Sequence, residues 1–228
     1  MDIDYSMSQW KVDPIEEYLN YTMSLLELLN CISSSLSHLG QTRLFLAHGL
    51  NLTLVKEKSH YLAIKHLKQI QPLILGCFSN KFGKHFYTQH HKANTFFGKE
   101  LIFHEGVKEM KSIGFWVCGV FLSCLYGDVK PYMELRKIVG GFESSLVATL
   151  DIKISEKLVK KKPSFREIEE IDNGVAADEV RTDATEELKR KLCELEKLSD
   201  DISKQVGHLF DGVMMQRNEL IDGFRLKK

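Results

Sequence analysis

The side chains best suited to bind a metal ion are four histidines in one polar stretch of the chain, with Cys77 shortly before them. The histidines are His85, His90, His91 and His104. Imidazole and thiolate groups are the ligands that zinc prefers, and a zinc site needs three or four of them arranged as a tetrahedron. The spacing fits neither H-x-x-x-H on one helical face nor a finger pattern. We therefore predict no metal ligand and interpret residues 79–106 as an irregular polar connection that could contain a short helix.

The motifs of nucleotide-binding and nucleophilic enzymes are missing from the sequence. Gly98-Lys99 lacks the earlier glycine and the following Ser or Thr of a phosphate-binding loop. No G-x-S-x-G turn presents a serine nucleophile. Paired carboxylates such as Glu169-Glu170 lie on charged helix faces, whereas a catalytic acid usually needs burial to shift its pKa. We name no catalytic residue, metal ligand or cofactor and predict a protein that is not an enzyme.

Composition and charge narrow the class of protein and its partners. The 228 residues are 43% hydrophobic and 27% charged, which is typical of a globular domain with a sizeable core. Because 31 basic residues balance 31 acidic ones, no overall field attracts phosphates, and we expect no nucleic-acid partner. The five cysteines have no C-x-x-C spacing, and residues 1–14 resemble neither a secretory signal nor a transit peptide. We expect a cytoplasmic, non-secreted protein with reduced cysteines, and association with an intracellular membrane stays open.

Apolar residues recur every three or four positions through most of the chain, a spacing typical of α-helices. Asp13, Pro14 and Glu16 suit the cap, first and third positions of a helix that continues through a broad leucine stripe. Gly40 could kink or end this helix, although later leucines continue the pattern. A second helix is predicted over residues 57–71. No run of alternating β-branched residues indicates a sheet, so the sequence predicts an all-α protein.

The most hydrophobic segment centres on residues 113–126. As a helix these residues span about 21 Å at 1.5 Å per residue, whereas a bilayer core needs roughly 30 Å. We therefore favour a central buried helix of a bundle, and a membrane helix is the alternative. Small residues that would let another helix approach closely, in a bundle or in a membrane, are Gly114, Gly119 and Ser123. The apolar residues of this candidate core or membrane helix are Ile113, Phe115, Trp116, Val117, Val120, Phe121, Leu122 and Leu125.

A short basic cluster follows a predicted helix in the middle of the chain. It consists of Lys160, Lys161 and Lys162 and precedes Pro163. We interpret it as a solvated helix end, where positive charge is favourable beside the free carbonyl groups. Three lysines are few for recognition of anionic lipid, so this interaction stays an open alternative.

The sequence divides into an apolar helical body over residues 1–171, a flexible linker over residues 172–183 and a long helix over residues 184–228. The linker prediction follows from small, polar and acidic residues. The last segment has a coiled-coil-like apolar seam, which could cover the body or associate with a second copy. The candidate seam residues are Leu188, Leu192, Leu195, Ile202, Val206, Leu209, Val213 and Leu220. The oligomeric state is not predicted.

Three segments, taken together and in order, resemble the plant-specific BYPASS-type family. They are WKVDPIEEYLNYTMSLLELLNCISSSLSHLGQTRLFLAHGL at 10–50, MKSIGFWVCGVFLSCLYGD at 110–128 and VGHLFDGVMMQRNELIDGFR at 206–225. The more particular matches are Trp10, Leu28-Leu29-Asn30-Cys31 and Arg217-Asn218-Glu219-Leu220. The resemblance covers most of the chain, mainly through leucine patterns.

The resemblance implies a regulatory function. Members of this family are largely helical and are associated with plant development and with restraint of a mobile root-to-shoot signal. The resemblance also implies exocyst-type subunits as protein partners, an annotated membrane segment corresponding to residues 113–126, and no catalytic or cofactor residues. We expect an all-α bundle of about five or six helices with a long C-terminal helix. We expect it to act as a non-enzymatic signalling regulator or scaffold, and the alternative is a membrane-associated protein anchored by residues 113–126.

Overall fold

A computed structural model describes residues 12–53, 97–161, 163–176 and 182–225 of the chain. The described residues form helices and connections, with no strand among them. The helices are α1 (Val12–Thr53), α2 (Lys99–Tyr126), α3 (Lys130–Val139), α4 (Ser145–Lys160), α5 (Arg166–Ala176) and α6 (Thr182–Arg225). The predicted all-α fold with a long C-terminal helix is confirmed. The predicted helix at 57–71 lies outside the described residues, as do Cys77, His85, His90 and His91.

The two longest helices, α1 and α6, run antiparallel to each other. They contain 42 and 44 residues, which corresponds to about 63 and 66 Å at 1.5 Å per residue. Arg217, near the end of α6, reaches Thr22 near the start of α1. Towards the other end of the pair, Arg43 of α1 forms a 2.6 Å ion pair with Glu196 of α6.

Helix α2 lies along the first half of α1 and runs parallel to it. Tyr21 donates a 3.0 Å hydrogen bond to the carbonyl of Met110. About four turns further on, the hydroxyls of Ser35 and Tyr126 lie 3.2 Å apart. Because both contact positions advance in the same direction, the two helices are parallel. The connection between them lies outside the described residues.

Three apolar clusters hold the helices together. The largest joins α1, α2, α3 and α6 around the fully buried side chains of Leu28, Phe115 and Leu122. A second joins α1, α5 and α6 around Leu46 and Leu192. A third packs α4 against α2 and α3. Helix α2 packs against α1, α3 and α6 in the first cluster and against α4 in the third, so it has helices on several sides and is the central helix of the described fold.

Helix boundaries differ from the sequence-based expectation at three places. Gly40 neither ends nor interrupts α1, which is continuous to Thr53. Residues 99–106 belong to α2 and are not irregular, because Phe103 and Val107 lie one turn apart and both face the main core. Helix α5 extends into the predicted linker as far as Ala176, and α6 begins at Thr182, so the described helices enter the 172–183 segment from both sides.

Candidate functional site

Most of the predicted apolar helix residues at 113–126 are packed inside the protein. Phe115 and Leu122 are fully buried and Trp116 is nearly so. Val120, Phe121 and Leu125 are partly buried against the same clusters. Ile113 and Val117 differ from the rest, because both face outwards. The segment is thus a core helix on most of its circumference and exposed along one side.

The small residues of α2 allow neighbouring helices to approach closely, as predicted. A Cβ at Gly114 would lie 2.7 Å from the Tyr21 hydroxyl, and a Cβ at Gly119 would lie 3.2 Å from the Cα of Tyr132. Ser123 accepts a 2.9 Å hydrogen bond from the backbone N–H of Tyr132, which fixes the start of α3. These contacts lock α2 between α1 and α3.

One side of α2 presents an apolar stripe that no described helix covers, and we name it the outer stripe. Its members are Ile102, Met110, Ile113 and Val117, with side chains 71%, 47%, 37% and 38% exposed. Their spacing of eight, three and four places them on one helical face, and Gly106 fills the turn between the first two. The stripe carries no charged residue.

A buried carboxylate joins α4 to the rest of the fold. Asp151 is almost fully buried, and its Oδ1 accepts hydrogen bonds from the Trp116 indole at 2.8 Å and from the Tyr132 hydroxyl at 2.6 Å. Its Oδ2 accepts a 2.7 Å hydrogen bond from Nε of Arg136. Three donors on two helices therefore satisfy this carboxylate, as a buried charge requires. We name these four residues the Asp151 hub.

The surroundings of the hub hold it in one arrangement. The Arg136 guanidinium lies 4.8 Å from the ring centroid of Phe142, and its NH1 donates to the carbonyl of Gly140. Phe142 in turn packs edge-on against Trp116. Burial, together with the hydrogen bond and the charge of Asp151, raises the pKa of Tyr132 to about 12. The hub is a structural anchor, because its carboxylate is ion-paired and enclosed.

A second polar anchor joins the ends of α1 and α6. Arg217 donates to the carbonyl of Leu19 and, at 2.9 Å, to the hydroxyl of Thr22. Thr22 itself lies within hydrogen-bond distance of the Tyr18 carbonyl one turn back. The charge of Arg217 opposes the effect of burial, which on balance raises the pKa of Tyr18.

Sequence reasoning missed the role of Asp151, although a signal was present. Asp151 lies four residues after Val147, three before Ile154 and seven before Leu158, which are the inward-facing residues of α4. A charged residue on an apolar face needs buried partners. Arg217 was noted only as part of the family resemblance, and the sequence alone did not assign it a contact.

The predicted seam of the C-terminal helix faces other helices of the same chain. Leu188, Leu192, Leu195, Val206 and Leu220 are buried. Ile202 and Val213 pack on the main core, whereas Leu209 is half-exposed.

Of the four clustered histidines, His104 is the one that the structure describes. It lies on α2 with its Nδ1 2.7 Å from the carboxylate of Glu17 on α1. Within residues 12–53, 97–161, 163–176 and 182–225, no group of three or more His, Cys, Asp or Glu side chains could hold a metal ion. The described geometry of His104 is that of a contact between two helices.

Among the described helices, none combines the length and the apolar character needed to cross a bilayer. Comparisons of this chain with family models, with curated proteins and with solved structures find no match. The BYPASS-type resemblance therefore rests on the quoted sequence segments. The outer stripe of α2 is the candidate functional site, and the two polar anchors keep its surroundings in place.

Proposed function

We propose that this protein is a non-enzymatic regulatory scaffold that binds an amphipathic helix of a partner protein along the outer stripe of α2. The observation that carries the proposal is the exposure of four apolar side chains on one face of the central helix. Contiguous exposed apolar surface commonly marks a protein interaction site. Anchors spaced by three, four and seven or eight residues are typical of helix recognition.

The packing of α2 supports this proposal. Its contacts at Gly114 and Gly119 fix it against α1 and α3, so the outer stripe does not need to be ordered when a partner binds. A surface held in its binding conformation loses little conformational entropy on association.

The family resemblance suggests where to look for the partner. Under a BYPASS-type function, the chain would act in plant developmental or long-distance growth signalling, with exocyst-type subunits as candidate partners. We therefore propose testing purified exocyst-type subunits first, followed by affinity capture from native tissue with mass spectrometry.

The experiment compares two variants with matched chemistry. Ile102→Gln/Met110→Gln changes the two most exposed positions of the outer stripe, and Leu44→Gln/Phe45→Gln changes exposed apolar positions of α1. The Ile102→Gln/Met110→Gln variant should bind the partner about tenfold or more weakly than the wild type, since burying one large apolar side chain contributes about 1.5–3 kcal/mol. The α1 control should bind like the wild type.

The proposal fails if the outer-stripe variant keeps the partner affinity of the wild type. It also fails if the α1 control loses the same partner to the same extent. Circular dichroism of both variants should match the wild type, because all four positions are solvent-exposed.

A further inference from the structure

Helix α4, which has 16 residues, exposes four large apolar side chains. Leu146 and Leu150 are 69% and 41% exposed, and Ile152 and Val159 are 59% and 68% exposed. The inward face does not depend on apolar packing alone, because the Asp151 hub fixes the helix through three hydrogen bonds. The outward face is therefore free to serve another purpose.

The four exposed apolar residues of α4 lie on two edges of the helix, with Leu146 and Leu150 on one and Ile152 and Val159 on the other. Basic side chains continue the first of these edges. Leu146, Leu150, Lys153 and Lys157 are spaced by four, three and four residues, which places all four on one face of α4. We name this face the α4 ridge. Both lysines are exposed, and neither forms an ion pair with another described residue.

The residues around the α4 ridge carry a net positive charge, although the chain is neutral overall. Residues 152–161 contain four lysines and one acidic residue, Glu156. Glu156 lies 3.6 Å from Lys160, and Lys161 pairs with Glu169 at 2.8 Å. Lys153 and Lys157 thus have no acidic partner among the described residues.

The shape of the surface indicates what binds there. Exposed residues occupy about half of the circumference of α4, so the α4 ridge lies on an outward face of the described fold. The α4 ridge has leucines at one end and lysines at the other. A surface that can contact both has anionic groups on the outside and an apolar layer beneath them. Lipid bilayers with acidic headgroups have this combination.

We propose that the α4 ridge is a peripheral binding surface for membranes that contain anionic lipids. Leu146 and Leu150 enter the boundary between headgroups and acyl chains, and Lys153 and Lys157 contact the phosphates. The helix lies on the membrane and does not cross it. This activity is independent of partner binding by the outer stripe of α2.

Vesicle flotation with the full-length protein tests the proposal. The probes are phosphatidylcholine vesicles and the same vesicles with about 30% phosphatidylserine, which carry the negative surface potential that attracts lysines. We expect binding to the acidic vesicles alone, and a several-fold loss when salt rises from about 0.05 to about 0.5 M, because the charges are then screened.

Two variants separate the parts of the α4 ridge. Lys153→Gln/Lys157→Gln should lower the partition coefficient by at least about tenfold, since each lysine at an acidic surface contributes roughly fivefold. Leu146→Gln/Leu150→Gln should lower it by a similar factor through loss of apolar burial. The matched control is Ile152→Gln/Val159→Gln on the opposite edge of the same helix, which should stay within about twofold of the wild type.

Three results would overturn the proposal. They are equal binding to neutral and acidic vesicles, unchanged binding by the lysine or leucine variant, and an equal loss in the Ile152→Gln/Val159→Gln control. The Ile102→Gln/Met110→Gln variant of the outer stripe should float like the wild type, which keeps this test separate from the scaffold proposal.

Discussion

Replacement of Asp151 by alanine should cause one of the largest losses of stability that a single polar substitution can produce in this protein. The change leaves the Trp116 indole N–H and the Tyr132 hydroxyl without their shared acceptor. An unsatisfied buried donor costs about 1–3 kcal/mol. The Arg136 side chain is 30% exposed, so water replaces its lost partner and adds only about 0–1 kcal/mol. With two such donors, the expected total is about 2–7 kcal/mol.

Asparagine at the same position should be milder. Its side-chain oxygen can still accept from Trp116 and Tyr132, whereas its amide group meets the donor of Arg136. The loss should therefore be about 1–2 kcal/mol. Glu156→Gln is the control, because Glu156 lies on the same helix in an exposed ion pair, and it should change stability by less than about 0.5 kcal/mol.

Urea denaturation followed by circular dichroism measures these differences. Fluorescence in a Trp10→Phe background reports on the hub directly, because Trp116 is then the only tryptophan. Two results would contradict this role of Asp151. One is a free energy of unfolding of Asp151→Ala within about 1 kcal/mol of the wild-type value, and the other is equal free energies for the alanine and asparagine variants.

The other predictions concern contacts between helices. Gly114→Ala should destabilise the fold by about 1–3 kcal/mol, because its Cβ would lie 2.7 Å from the Tyr21 hydroxyl. In the same urea assay, Gly106→Ala should stabilise the fold by about 0.5–1 kcal/mol, because its Cβ would lie in open space. A loss at Gly114 that Tyr21→Phe does not relieve would contradict this. Arg217→Ala should lower the free energy of unfolding by about 1.5–3 kcal/mol, since two acceptors on α1 lose their charged donor. An unchanged urea midpoint would refute this. Because the pKa of Tyr132 is raised to about 12, its contribution is complete below pH 10 and is lost as pH rises towards 12. Between pH 10 and pH 12, the free energy of unfolding of Tyr132→Phe should therefore fall by about 2–3 kcal/mol less than that of the wild type. Parallel curves of stability against pH would contradict the raised pKa of Tyr132.

The helical periodicity of the sequence was sufficient to predict the class of fold and its central helix. The same periodic leucines that predicted the first helix are the buried residues of α1, and the small residues of α2 mark the positions where α1 and α3 approach. Such local patterns are readable because each helix must bury one face.

The sequence did not predict which helices pack against each other. The contacts of Asp151 with Trp116 and of Arg217 with Thr22 join residues 35 and 195 positions apart. Nothing in local spacing specifies which helices meet. His104 is a further example, since the sequence predicts a polar connection at this position. In the structure His104 lies on α2 and contacts Glu17 of α1.

The outer stripe was also beyond sequence reasoning. Ile113 and Val117 belong to the same apolar run as Phe115 and Leu122, and composition does not distinguish them. The difference arises because α1, α3 and α4 pack against α2 on its other sides, and no helix of the described ranges covers this one.

Thiol labelling of two adjacent residues tests most directly whether α2 is packed in the core with one side exposed. Two proteins each keep a single cysteine, one the native Cys118 and the other Val117→Cys, with the remaining cysteines changed to alanine. Burial shields Cys118 and raises its pKa to about 12, so it should react at least about a hundredfold more slowly than Val117→Cys in the folded protein. Equal labelling rates, or faster labelling of Cys118, would contradict the account.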